Sequence, residues 1–129
     1  MANMTIGAVT GETISGKKSR LRKVTFTHTA SGTAAGSATT AFTITGKLLR
    51  YITTGGDAEW QFTLNDGTAV IFSSGNLTAT ATSGILNVHA TQPHDGIAMV
   101  DQTLLCTTAN VTTTAPTITI IWEESDTTR

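Results

Sequence analysis

From residue 19 onward the chain alternates apolar and polar positions with a period of two. Val24, Phe26 and His28 fall on one side and Lys23, Thr25, Thr27 and Thr29 on the other, the pattern of a strand with one covered face. After a Gly- and Ser-containing loop over residues 31–36, Ala38, Thr40, Phe42 and Ile44 alternate with Thr39, Ala41, Thr43 and Thr45. The two runs together predict a hairpin. Gly46 closes the second run and residues 47–53 predict a further strand, bounded by the turn Gly55-Gly56-Asp57. Trp60, Phe62 and Leu64 then alternate with Glu59, Gln61 and Thr63. Asn65-Asp66-Gly67 supplies residues that tolerate positive φ between two apolar runs, so a hairpin into residues 69–72 is expected.

Further along, residues 73–76 form a turn, and residues 77–82 alternate weakly, which suits an edge strand. Residues 85–90, 97–100 and 104–106 are short apolar runs, with a loop over 92–96. The chain closes on residues 117–122, where Ile118, Ile120 and Trp122 share a face. No segment carries several turns of helical spacing behind a cap. The prediction is an all-β protein: a single antiparallel β-sandwich, jelly-roll-like, or a small barrel, spanning residues 17–129. Residues 1–16 hold three Gly and no sustained period, so they are expected to form an extended, flexible N-terminal arm outside the core, with room for a short strand that only a neighbour would order.

Composition sharpens this reading. Hydrophobic residues make up 39% of 129, but 15 of them are Ala, so the large apolar side chains are few. Thr accounts for 29 residues, and its β-branched side chain favours pleated strands over helices. The net charge of -1 excludes the strongly charged composition of disordered chains. A core with so few large side chains predicts a domain that completes its burial against other copies or a partner. The single Cys106 excludes an internal disulfide framework. Residues 1–9 lack the basic-then-apolar order of a leader, and no apolar stretch approaches the ~18 residues that span a bilayer, so neither secretion nor a membrane partner is expected.

The near-neutral balance hides an asymmetry. Residues 1–50 hold seven of the eight basic side chains and one acid, Glu12, whereas residues 51–129 hold Arg129 against eight acids. One end of the molecule is expected to be basic and another acidic.

The chemistry-bearing residues point away from catalysis. Gly11 to Lys17 resembles the opening of a phosphate-binding loop, but Lys18 stands where Ser or Thr must hold magnesium, and no helix is expected to follow. His28, His89, His94 and Cys106 lie at no paired ligand spacing, so no metal or cofactor is expected, and His28 reads as a satisfied, partly buried side chain. His94 with Asp95 could be a base and its orienter, yet no nucleophile sits in a strained turn. No catalytic residue is assigned.

The densest charge cluster is Lys17, Lys18, Arg20, Arg22 and Lys23. Tracking a single-stranded nucleic acid normally adds exposed aromatics for base stacking, and the nearest, Phe26, belongs to the apolar face. The cluster is therefore read as an electrostatic docking site for an acidic protein surface, either this protein's own acidic half or another lattice, rather than for nucleic acid. Asn-x-Thr triplets at Asn3, Asn76 and Asn110 are what a Thr-rich chain produces by chance.

Residues 22–27 (Arg-Lys-Val-Thr-Phe-Thr), the Gly-bounded segment 31–36, residues 46–53 (Gly-Lys-Leu-Leu-Arg-Tyr-Ile-Thr) and residues 62–67 (Phe-Thr-Leu-Asn-Asp-Gly) resemble small Thr-rich virion proteins of tailed bacteriophages. The resemblance implies a head-decoration (cement) subunit, made in the bacterial host cytoplasm, that binds the major capsid protein on the outside of the head as a homotrimer. It implies no residue-level site. An alternative of a different class is a carbohydrate- or receptor-binding module of a tail or fibre, for which Tyr51, Trp60 and Trp122 are the candidate platforms if exposed. Alternation places Trp60 and Trp122 beside aliphatic neighbours.

Overall fold

The computed structural model describes residues 4–7, 9–14, 17–28, 35–78, 82–86, 96–111 and 114–125. Among them lie eleven strands and no helix. These are β1 (Met4–Ile6), β2 (Thr10–Ile14), β3 (Lys17–His28), β4 (Gly36–Thr39), β5 (Ile44–Thr54), β6 (Gln61–Asn65), β7 (Val70–Ser73), β8 (Thr82–Ile85), β9 (Ile97–Gln102), β10 (Leu105–Ala109) and β11 (Thr117–Glu124). They form two antiparallel sheets packed face to face, a β-sandwich. In the larger sheet β1 and β2 share one edge of β3, β11 and β5 follow, and β8 and β9 share the far edge of β5. The smaller sheet has the order β4-β10-β6-β7.

The alternation sets which side of each strand is covered. Across the larger sheet Phe26, Ile118 and Thr53 stand in register, as do Val24, Ile120 and Tyr51, and all six are buried. Phe62, Leu64, Cys106 and Thr108 meet them from the smaller sheet. Burying each large apolar side chain contributes about 1.5–3 kcal/mol. No Ala is buried among the described residues, so the many alanines do not dilute the interior: the few large apolar residues are concentrated there. The opposite face of the larger sheet is a Thr lattice, with Thr25 and Thr119 hydroxyls 2.9 Å apart and Thr54 bonded to Thr117.

Several expectations are corrected. Residues 38–45 do not pair with β3: β4 lies in the other sheet against β10, with Cys106 opposite Ala38. Alternation dictates which face of a strand is covered but not which strand lies beside it. Gly46 does not end a strand; β5 runs through it. A Cβ there would sit 2.0 Å from the Glu123 carbonyl oxygen, so the bare backbone is what lets β11 lie against β5. Phe42 lies in the bend between β4 and β5 and stacks on Trp122, ring centroids 6.1 Å apart. Of residues 77–82, Leu77 makes only an isolated bridge to Trp60, while residues 79–81 and 87–90 lie outside the described residues.

The period-free segment 1–16 contains strands. β1 and β2 pair with β3, and Met4 is buried in the core. Backbone pairing along the edge of a long neighbour orders these residues without any amphipathic pattern of their own.

Candidate functional site: a basic ribbon

The position of the basic cluster follows from the length of β3. Its 12 residues outrun its pairing with β11, which covers residues 21–27 and ends at Glu123 opposite Leu21. Residues 17–20 continue past that point, paired only with β2 among the described residues, Thr13 opposite Lys18 and Ile14 opposite Lys17. Lys17, Lys18 and Arg20 therefore lie on the stretch of β3 that pairs with β2 beyond its described pairing with β11. Arg22 and Lys23 lie where β3 enters the sandwich, between β2 and β11.

Arg22 and Lys23 differ in surroundings. Lys23 is exposed beside the Thr lattice, whereas Arg22, on the covered side, stands opposite Trp122. The Arg22 guanidinium donates to the Leu21 carbonyl at 3.1 Å and pairs with the Glu124 carboxylate at 3.2 Å. This pair places the acidic end of β11 beside Arg22 of the basic strand.

The other sequence candidates fall in the interior or outside the described residues. Trp60 is fully buried and its Nε1 donates to the Thr78 carbonyl at 3.1 Å. Tyr51 packs edge-on to Phe62 and tilted to Phe72, at 5.2 and 5.6 Å. With Trp122 also buried, all three proposed platforms belong to the core. His28 is buried, as its position in the alternation implies, but not satisfied: neither Nδ1 nor Nε2 has a hydrogen-bond partner. Burial pushes the Cys106 thiol pKa far up. Residues 11–14 and 17, the phosphate-loop look-alike, belong to paired antiparallel strands rather than to a loop opening a helix. His89, His94 and Asp95 lie outside the described residues. No group of three or more metal-ligating side chains occurs among the described residues.

At the same end of the sandwich the β6–β7 turn is built as expected. Asp66 Oδ1 accepts from the Thr68 hydroxyl at 2.7 Å and from the Thr68 and Ala69 amides, each at 3.0 Å. These bonds, the Thr68 hydroxyl first, hold its carboxyl below the usual carboxylate range. Two features had no sequence signal: where the pairing of β3 with β11 ends, and the Glu124 partner of Arg22, about a hundred residues away in the chain.

No family model matches the chain, and neither does any curated protein. Among solved structures it is similar to the carbohydrate-binding module CBM36 in complex with calcium and xylotriose, at 16% identity over 92% of each chain and a TM-score of 0.42. It is also similar to the C-terminal CBM6 of LamC, a marine laminarinase from Zobellia galactanivorans, at 10% identity over 90% of each chain and a TM-score of 0.43.

Proposed function

We propose that this chain is a non-enzymatic structural subunit that fastens to an acidic protein surface through the β2–β3 ribbon, as expected of the head-decoration proteins it resembles. One observation carries the reading: three cationic residues of β3 lie beyond its described pairing with β11, on the stretch paired with β2, while its other end is anchored in the core. A cluster of like charge steers association, and many weak contacts on a repeated lattice add up to firm attachment. In this reading the partner is the major capsid protein, the subunit sits on the outside of the head, and copies associate as trimers.

Sedimentation with purified empty phage heads tests it. Wild-type chain should cosediment at low salt and lose binding as salt rises. The combined Lys17→Glu, Lys18→Glu and Arg20→Glu variant should stay in the supernatant. Equal binding by that variant would remove the ribbon from the account.

A second reading is sugar binding, and the β6–β7 turn favours it. Thr68 is exposed there, Asn65 and Asp66 are partly so, and Gln102, with its amide turned to donate, reaches the Asp66 carbonyl at 2.9 Å, giving a polar rim of the kind that meets hydroxyl-rich ligands. Retention on xylan or laminarin without head binding would replace the first reading with this one.

A further inference from the structure

The register of the larger sheet joins Lys23 to two cations that lie far from it in the chain. Lys23 stands opposite Ile121, and Ile121 opposite Arg50. Two residues along β11 on the same face, Glu123 stands opposite Lys47. Lys47 and Arg50 are three residues apart, so on an unbroken strand their side chains would leave opposite faces. A bulge at Ile121/Trp122 removes that parity: Arg50 lies opposite Ile121 and Leu48 opposite Trp122, which leaves Leu49 as the extra residue. Lys47 and Arg50 therefore share the outer face with Lys23. All three are exposed, while Leu48 and Tyr51 are buried.

The cations flank Ile121, which is half-buried, and Ile52 lies half-buried in the next row, opposite Thr119. Glu123 is the one acid on this stretch of the face among the described residues. An apolar centre with a charged rim is the anatomy of a protein-docking patch. A two-fold-related copy would set cation against cation, so the charge selects an acidic occupant. We infer that an acidic surface of the shell protein seats on the outer face of the larger sheet around Ile121, with Lys23, Lys47 and Arg50 meeting its carboxylates and Ile121 and Ile52 its aliphatic carbons. This inference rests on the docking reading above and widens the seat from one strand to a face spanning β3, β11 and β5.

Cosedimentation with purified empty phage heads is compared for wild type, for Lys47→Glu with Arg50→Glu, for Ile121→Thr, and for the combined Lys17→Glu, Lys18→Glu and Arg20→Glu variant. Lys47 and Arg50 are exposed, so their replacement should leave the urea midpoint near wild type. That variant should bind at least about tenfold more weakly, with a shallower salt dependence. Ile121→Thr keeps a β-branched side chain and should weaken binding with the salt dependence unchanged. In the wild-type chain, acetylation by an N-hydroxysuccinimide ester should slow at Lys23 and Lys47 when heads are present. Full binding by the Lys47→Glu, Arg50→Glu variant, or acetylation of Lys23 and Lys47 at the free rate on heads, would overturn this seat. Docking through the β2–β3 stretch would survive that result if the Lys17, Lys18 and Arg20 replacements abolished binding. Salt-sensitive self-association without heads, lost in the Lys47→Glu, Arg50→Glu variant, would give the face to a second copy and overturn the shell-protein occupant. Failure of the wild-type chain to bind heads would remove the docking reading and this inference together.

Discussion

Gly84 and Tyr51 face one another across the β5–β8 pair so closely that a Cβ on Gly84 would lie 2.5 Å from the Tyr51 ring. The glycine makes room for the ring, and the ring covers bare backbone on a strand that needs it. Tyr51 in turn contacts Phe62 and Phe72, so the two residues fix where the edge of the larger sheet meets the smaller one. Gly84→Ala should force Tyr51 out of its place and cost about 1–3 kcal/mol. Urea unfolding would show this as a lower midpoint at unchanged slope, and an unchanged midpoint would mean that the ring has free space to move.

His28 lies 3% exposed with both ring nitrogens unpartnered. A buried polar group without a partner carries its full desolvation cost, so an apolar residue of similar size should do better. His28→Leu is expected to raise stability by about 1 kcal/mol. A fall in the urea midpoint would show that the imidazole makes an interaction that holds the β1 end of the sheet.

The Asp66 carboxyl accepts three bonds that favour its charged form and lower its pKa from 3.8. A native pKa below the unfolded one means that the stabilisation is fully present above the unfolded value and is lost as pH falls through the lowered native value. Asp66→Asn keeps a neutral acceptor, so it isolates the contribution of the charge. Wild type should be the more stable at pH 7, and the gap should close on acidification below about pH 4. A gap that persists at pH 2 would assign the difference to something other than the carboxylate.

Trp60 and Trp122 are 0% and 4% exposed. Their emission should be blue-shifted and barely quenched by iodide in the folded chain, with full quenching on unfolding. Strong native quenching would return one of them to the surface and revive the aromatic-platform version of sugar binding. Cys106, buried between β4 and β6 on an inner strand of the smaller sheet, should likewise resist thiol reagents until the chain unfolds, because the thiolate that reacts is disfavoured there.

The faces of the strands were legible residue by residue. Val24 and Phe26, Phe62 and Leu64, Ile118 and Ile120 all point inward as their alternation predicts. The β6–β7 hairpin was legible from Asn65-Asp66-Gly67, whose side chains cap the turn as that chemistry requires. The site was half legible: the cation cluster stood out as a run of charge, but its division between a stretch paired with β2 and a base held between β2 and β11 did not.

Side-chain direction alternates as a local property of the extended backbone, so period two and turn chemistry were enough to establish an all-β chain with an apolar face on most strands. Pairing is different, because every strand edge offers the same amide and carbonyl groups, and nothing in a short window distinguishes one neighbour from another. Folding in three dimensions settled that β4 joins β10 rather than β3, that Met4 enters the core, that Arg22 meets Glu124, and where the pairing of β3 with β11 ends. Each of those outcomes depends on where a distant strand begins or stops, which is set by the packing of the whole sandwich.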